Sequence, residues 1–104
     1  MVISISENDI EKVKQIEGTS KNIEKLKGLS AFTNLEKLYL ANNKISDIGE
    51  IKNLKKLTNI DLGTNKIKDI TPLKYCTKLV RVNLFRNDIV NAEETLEALA
   101  KVTN

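Results

Sequence analysis

The stretch "LYLANNKI", Leu38 to Ile45, sets the period of this chain. Two imperfect copies follow at intervals of 22 residues: "IDLGTNKI" at Ile60 to Ile67 and "VNLFRNDI" at Val82 to Ile89. Each carries an Asn, one further residue, then Ile. Written in rows of 22, the aliphatic residues fall into columns. Leu35, Leu57 and Leu79 form one, Leu38, Ile60 and Val82 the next, and Leu40, Leu62 and Leu84 the third. Asn43, Asn65 and Asn87 follow, then Ile45, Ile67 and Ile89. Ile48 and Ile70 continue the pattern with the smaller Ala92 behind them. Ile51 aligns with Leu73, and Phe32 with Leu54 and Cys76. Self-similarity at a fixed period of this length is the signature of a solenoid, in which no row buries its apolar face alone.

The spacing within a row reads as a strand. In L-x-L, alternate side chains leave opposite faces of the backbone, so Leu38 and Leu40 point inward while Lys37, Tyr39 and Ala41 point outward. Stacked rows pair their strands in parallel and merge their leucines into one core. After the strand the chain must turn inward, which strips backbone groups of their strand partners. An Asn side chain brings an acceptor and two donors to that turn. Asn43, Asn65 and Asn87 therefore read as a structural ladder, not as ligands for a bound molecule.

The row L-x-x-L-x-L-x-x-N-x-I-x-x-I resembles the leucine-rich repeat family over about residues 23 to 91. The 22-residue period, the Ile after the Asn and "DITPL" at Asp69 to Leu73 resemble the internalin type of bacterial surface proteins. They also resemble the intracellular type found in phosphatase regulatory subunits and a dynein light chain. The resemblance implies an α/β fold: a right-handed solenoid, or horseshoe. Its parallel strands line the concave side, short turns or 3-10 segments the convex side, and helices cap the ends. The expected layout is a single domain, with a cap and degenerate coil in residues 1–22, repeats in 23–91 and a cap helix in 92–104.

Both ends depart from the repeat. Upstream, Val13, Ile16, Ile23 and Leu26 keep the register, but Gly18 stands at the inner Leu position and Lys21 at the Asn position. "SENDIEKVKQI" before them offers Ser6 or Asn8 as a helix N-cap, Asn8 with Glu11 making a capping box. Downstream, "NAEETLEALAKVT" predicts a helix capped by Asn91, with Glu93 and Glu94 in the turn where the helix dipole favours negative charge. Leu96, Leu99, Ala100 and Thr103 share one face by their spacing.

The bulk composition narrows the function classes. There is no His in 104 residues, and the single Cys, Cys76, sits in an apolar column. No Gly-rich phosphate loop, paired-Cys spacing or nucleophile elbow occurs, so no catalytic residue, metal ligand or cofactor is expected and the chain reads as a non-enzyme. The lone Cys and the absence of a signal-like apolar run fit a cytoplasmic protein. No segment approaches a membrane span. The net charge of +3 comes without any block of like charges, which argues against nucleic-acid and membrane-surface roles.

What remains is the outward strand face. Its columns are Lys37, Asn59 and Arg81; Tyr39, Asp61 and Asn83; Ala41, Gly63 and Phe85; and, at the strand exits, Asn42, Thr64 and Arg86. These columns vary far more than the aliphatic ones, and both arginines of the chain fall on them. Tyr and Arg are enriched at interface hot spots. The expectation is a monomeric module that binds a protein partner through Lys37, Tyr39, Asn42, Asn59, Asp61, Thr64, Arg81, Asn83, Phe85 and Arg86. The bland alternative makes Tyr39 a packing residue and pairs the arginines with Asp61 or Asp88. The resemblance also admits an adaptor in a ribonucleoprotein complex, since the family includes a spliceosomal protein that helps its partner bind RNA. A regulatory subunit of an enzyme, or a repeat scaffold without a ligand, are further readings. Direct nucleic-acid binding is opposed by Asp61 in the middle of the basic positions.

Overall fold

The computed structural model describes residues 7–103, and the side chains of residues 9–98. Its elements run α1 (Glu7–Lys12), β1 (Gln15–Glu17), a 3-10 turn η1 (Leu29–Ala31), β2 (Lys37–Tyr39), η2 (Gly49–Asn53), β3 (Asn59–Asp61), η3 (Thr71–Tyr75), β4 (Arg81–Asn83) and α2 (Ala92–Thr103). The four strands form one sheet in chain order, every pair parallel. Leu38 is level with Ile16 on one side and Ile60 on the other, and Ile60 is level with Val82. The register is thus the 22-residue repeat itself, realised as a leucine-rich-repeat solenoid with strands on one face and 3-10 turns on the other.

The aliphatic columns close inward. Leu35, Leu38, Ile45, Ile51, Leu54, Leu57, Leu62, Ile67, Ile70 and Leu73 are fully buried. Parallel pairing of such short strands contributes little alone; each fully buried aliphatic side chain contributes roughly 1.5–3 kcal/mol by leaving water. Cys76 joins this core, with its Sγ 3.3 Å from the carbonyl oxygen of Ile51. Burial pushes its thiol pKa up to about 11.

The asparagines satisfy the inward turn. Asn65 Oδ1 accepts the N–H of Ile45 in the preceding row at 3.0 Å, and its Nδ2 donates to the carbonyls of Leu40 (3.0 Å), Leu62 (3.1 Å) and Gly63 (3.3 Å). Asn43 does the same with Lys21, Ile23, Gly18, Leu40 and Ala41. Asn87 accepts from Ile67 and donates to Leu62, Leu84 and Phe85. Among the described residues no buried side-chain polar atom lacks a partner.

The first coil is complete in outline but carries no inner side chain at Gly18. A Cβ there would stand 2.9 Å from Leu40 Cδ2 and 3.1 Å from Ile23 Cδ1, so neighbouring aliphatics already fill the place of an inner Leu. The N-terminal segment supplies both a helix and a strand. Asn8 lies inside α1, one residue past its start, and so is not its N-cap; Ser6 lies outside the described residues. Gly28, before η1, has φ +89, a conformation that L side chains rarely adopt.

The C-terminal end differs from the sequence expectation in two respects. The side chain of Asn91 does not serve α2. Its Oδ1 accepts the Ile70 N–H at 3.1 Å, and its Nδ2 donates to Asp69 Oδ1 (2.7 Å) and Thr71 Oγ1 (2.9 Å). The row-to-row network thus outcompetes the local cap. Hydrogen bonds from Thr71, then Asn91, hold the Asp69 carboxyl below its usual pKa. Second, α2 packs on η3 with Thr95 buried at 4% exposure and Leu96 turned out at 46%. Ala92, at the end of a repeat column, packs on the core, and Thr95 three residues on is buried with it, whereas Leu96 of the expected face is not. The side chains of Leu99, Ala100 and Thr103 lie outside those described.

Helix α2 leaves the strand edge uncovered. Val82, Leu84, Asn87 and Ile89 are only half-buried, although their counterparts in the two preceding rows are buried. The N–H groups of Leu40 and Leu62 donate to the next row at 2.8 Å, whereas that of Leu84 finds no partner among the described residues.

Replacing Asn65 by Leu orphans buried backbone groups and is expected to cost roughly 1–3 kcal/mol by urea unfolding. Asn87→Leu, at the half-buried edge, should cost less. Equal losses would remove the account of the ladder. Leu96→Ser, at a half-exposed site, should cost less than the roughly 2–5 kcal/mol expected for Leu57→Ala in the core, measured by the same unfolding.

Candidate functional site on the strand face

The parallel register builds the strand face column by column. Lys37, Asn59 and Arg81 lie side by side, as do Tyr39, Asp61 and Asn83. Strand β1 extends both columns, with Gln15 beside Lys37 and Glu17 beside Tyr39. These two residues were missed in the sequence reading, although Ile16 in the Leu38 column placed them there.

Tyr39, Asn59, Asp61, Arg81 and Asn83 border one shallow cleft of about 260 Å³. Tyr39, Asn59 and Asp61 are half-buried; Lys37, Arg81 and Asn83 are exposed. Asp61 and Asn83 are not wholly free for a ligand. Asp61 Oδ1 accepts the Gly63 N–H at 3.0 Å, and Asn83 Oδ1 accepts the Phe85 N–H at 3.0 Å. Glu17 repeats the pattern with Thr19 at 2.9 Å, and hydrogen bonds from Thr19 keep its carboxyl below the usual value. The column therefore closes the turn after each of these strands, and only its second oxygen or amide looks outward. Gly63 is buried beneath the two side chains; a Cβ there would lie 3.1 Å from Asn83 Nδ2.

The strand-exit column has a backbone duty as well. Asn42, Thr64 and Arg86 have φ of +57, +54 and +58, and Ser20 has +58 in the first coil. Each row makes a left-handed turn here, which costs a non-Gly residue roughly 1–2 kcal/mol. Asn42 Nδ2 also donates to Ser20 Oγ at 2.8 Å.

Phe85 is 69% exposed, and the Arg86 guanidinium lies over its ring, 5.4 Å from the centroid. Among the described residues neither Arg81 nor Arg86 forms an ion pair with Asp61 or Asp88. The structure thus gathers five of the sequence candidates into the cleft and joins two more, Phe85 and Arg86, as a stacked pair. Lys37 stands beside the cleft, and Asn42 and Thr64 lie on the turns beyond it.

The sheet of four parallel strands in a 22-residue register, the 3-10 turns η1 to η3 and the asparagines Asn43, Asn65 and Asn87 at the inward turns agree with the comparisons with known proteins. A family model of leucine-rich repeats in two copies matches residues 33–75. The chain is a leucine-rich-repeat protein. The crystal structure of an internalin (inlF) from Listeria monocytogenes superimposes with a TM-score of 0.87 at 32% identity, over 94% of this chain and 28% of that one. Internalin C2 (inlC2) from the same organism gives 0.81 at 30% identity, over 92% of this chain and 42% of that one. This leucine-rich-repeat chain therefore spans about a quarter to two-fifths of the length of those internalins. A chain of the Drosophila melanogaster SNF/U2A′ complex matches with a TM-score of 0.55 at 18% identity, over 95% of this chain and 78% of that one, a likeness of fold alone. No curated protein sequence matches.

Cys76 is buried and, with its pKa raised, holds little thiolate near neutral pH. A thiol reagent applied at about pH 8 should label it only after denaturant unfolds the chain. Fast labelling of the native protein would contradict the burial described here.

Proposed function

We propose that this leucine-rich-repeat chain is a non-enzymatic module that binds a protein partner through its concave strand face. The observation that carries this reading is the Phe85–Arg86 pair. A large aromatic side chain stands 69% exposed on a strand face, roofed by a guanidinium rather than by the core. Neither residue serves the packing of the solenoid, and Arg86 occupies a left-handed position where Gly would be free of strain. Aromatic and Arg side chains dominate interface energetics because they bury much area with few rotatable bonds and add directional bonds.

The neighbouring cleft fits the same role. Tyr39 offers an apolar ring with a polar tip, Arg81 an unpaired guanidinium, and Asp61 and Asn83 one outward polar group each. A partner with a carboxylate beside an apolar side chain matches this arrangement. Four strands span roughly 15–20 Å, less than the width of a standard interface, so the rims of the face must contribute too. Catalysis finds no support: the chain has no His, and its one thiol is sealed in the core.

Affinity capture from lysate, comparing the native chain with Tyr39→Ala/Phe85→Ala and with Arg81→Ala/Arg86→Ala, tests the reading. Either pair should weaken capture about ten-fold or more while thermal melting stays close to native, as hot-spot truncation does. Undiminished capture by folded variants would move the binding surface elsewhere.

A further inference from the structure

Five lysines on the flank between the 3-10 turns and the strands have no part in the strand-face reading. Lys52 lies in η2 and Lys74 in η3, Lys55 and Lys56 lead into β3, and Lys78 leads into β4; all five are exposed. The 22-residue stacking sets Lys52 level with Lys74, and Lys56 level with Lys78, in successive rows. Like charges brought together by stacking repel. Among the described residues none of the five forms an ion pair, and no carboxylate occurs between Glu50 and Asp61 or between Asp69 and Asp88. Acidic groups do lie at the margins: Lys52 shares a cleft with Glu24, Asp47 and Glu50, and the Asp69 carboxyl feels the charge of Lys74.

The flank is also held in place. Tyr75, 44% exposed, stands at its centre, with Lys55 Nζ 5.1 Å and Lys74 Nζ 5.4 Å from its ring centroid. Lys55 Nζ donates to the Tyr75 carbonyl at 3.4 Å. Lys56 Nζ donates to Asn34 Oδ1 at 2.7 Å, and Asn34 is anchored in turn on the Glu11 carbonyl at 2.8 Å. Three of the five ammonium groups therefore lose less side-chain entropy when a ligand arrives than free surface lysines do.

We propose that this flank, with Lys55, Lys56, Lys74 and Lys78 around Tyr75 and Lys52 left out beside its carboxylates, is a second interaction surface, which takes an acidic segment of a partner protein. A run of Asp or Glu carboxylates matches closely spaced, pre-positioned ammonium groups. A single-stranded nucleic acid also needs aromatic faces for its bases, and the one ring here is occupied by two ammonium groups. A membrane surface needs an apolar face to insert, and the flank itself presents lysines around one tyrosine.

The test is fluorescence anisotropy with three probes: a short labelled polyglutamate peptide, an oligothymidylate of equal length, and phosphatidylserine vesicles. Each is titrated at about 50 and about 200 mM salt, where screening separates surface charge from burial. The native chain should bind the peptide in preference to the other probes, more weakly at the higher salt. Lys55→Glu/Lys74→Glu, shown to be folded by its melting curve, should weaken the peptide about ten-fold or more. Tyr75→Ala should weaken it about two- to three-fold by freeing the two lysines. Phe85→Ala should leave it unchanged, which separates this surface from the strand face. Absence of peptide binding by the native chain, equal binding by the double variant, or preference for the oligonucleotide or vesicles would overturn the proposal.

Discussion

The structure depends on one exchange of hydrogen bonds: an Asn side chain accepting a backbone N–H from the preceding row while donating to carbonyls of both rows. Strands of three residues hold little by themselves. What fixes one coil on the next is that the chain, on leaving each strand, turns into the core and must find partners there. Asn43, Asn65 and Asn87 supply an acceptor and two donors at that point. Asn91 continues the theme from another position by accepting the Ile70 N–H. The aliphatic columns contribute the larger share of the free energy and decide which residues face inward. The asparagines add a second constraint on register, because a shifted row leaves buried polar groups unpaired.

A scaffold satisfied in this way has two consequences. Its ends are where it is weakest. At the last strand and the turn after it Val82, Leu84, Asn87 and Ile89 lose burial, and the N–H of Leu84 finds no acceptor among the described residues. The other consequence is that positions between the columns are released from packing, though less completely than an alternation of inward and outward side chains suggests. Asp61 and Asn83 close the turns after their strands, and Asn42, Thr64 and Arg86 absorb a left-handed backbone. The strand face is built of residues with a structural hand and a free hand.

Stacking also sorts charge. Along the chain the lysines look evenly dispersed, and the net charge of +3 is modest. Across the rows, residues 22 apart fall level, as Lys56 does with Lys78. Lysines thus gather around Tyr75 on one flank, while the strand face is mixed, with Asp61 among the basic side chains. The two surfaces suit different chemistry: short-range packing around Phe85, Arg86 and Tyr39 on one, long-range attraction on the other.

The sequence by itself determined the period, the strand positions, the core columns and the parallel register, because a one-residue slip would have turned Leu38 and Leu40 out of the core. It also placed the candidate residues on one face, since strand alternation leaves no choice. Tertiary structure alone showed that α2 buries Thr95 beside Ala92 and exposes Leu96. It redirected Asn91 from the local cap to the neighbouring row. It brought Tyr75 between Lys55 and Lys74, a contact between rows that reading along one row does not reveal. The division has a physical cause: periodic burial repeats identically in every row and can be read from one dimension, whereas a cap, a rotor or a charge pair depends on what the adjacent row presents.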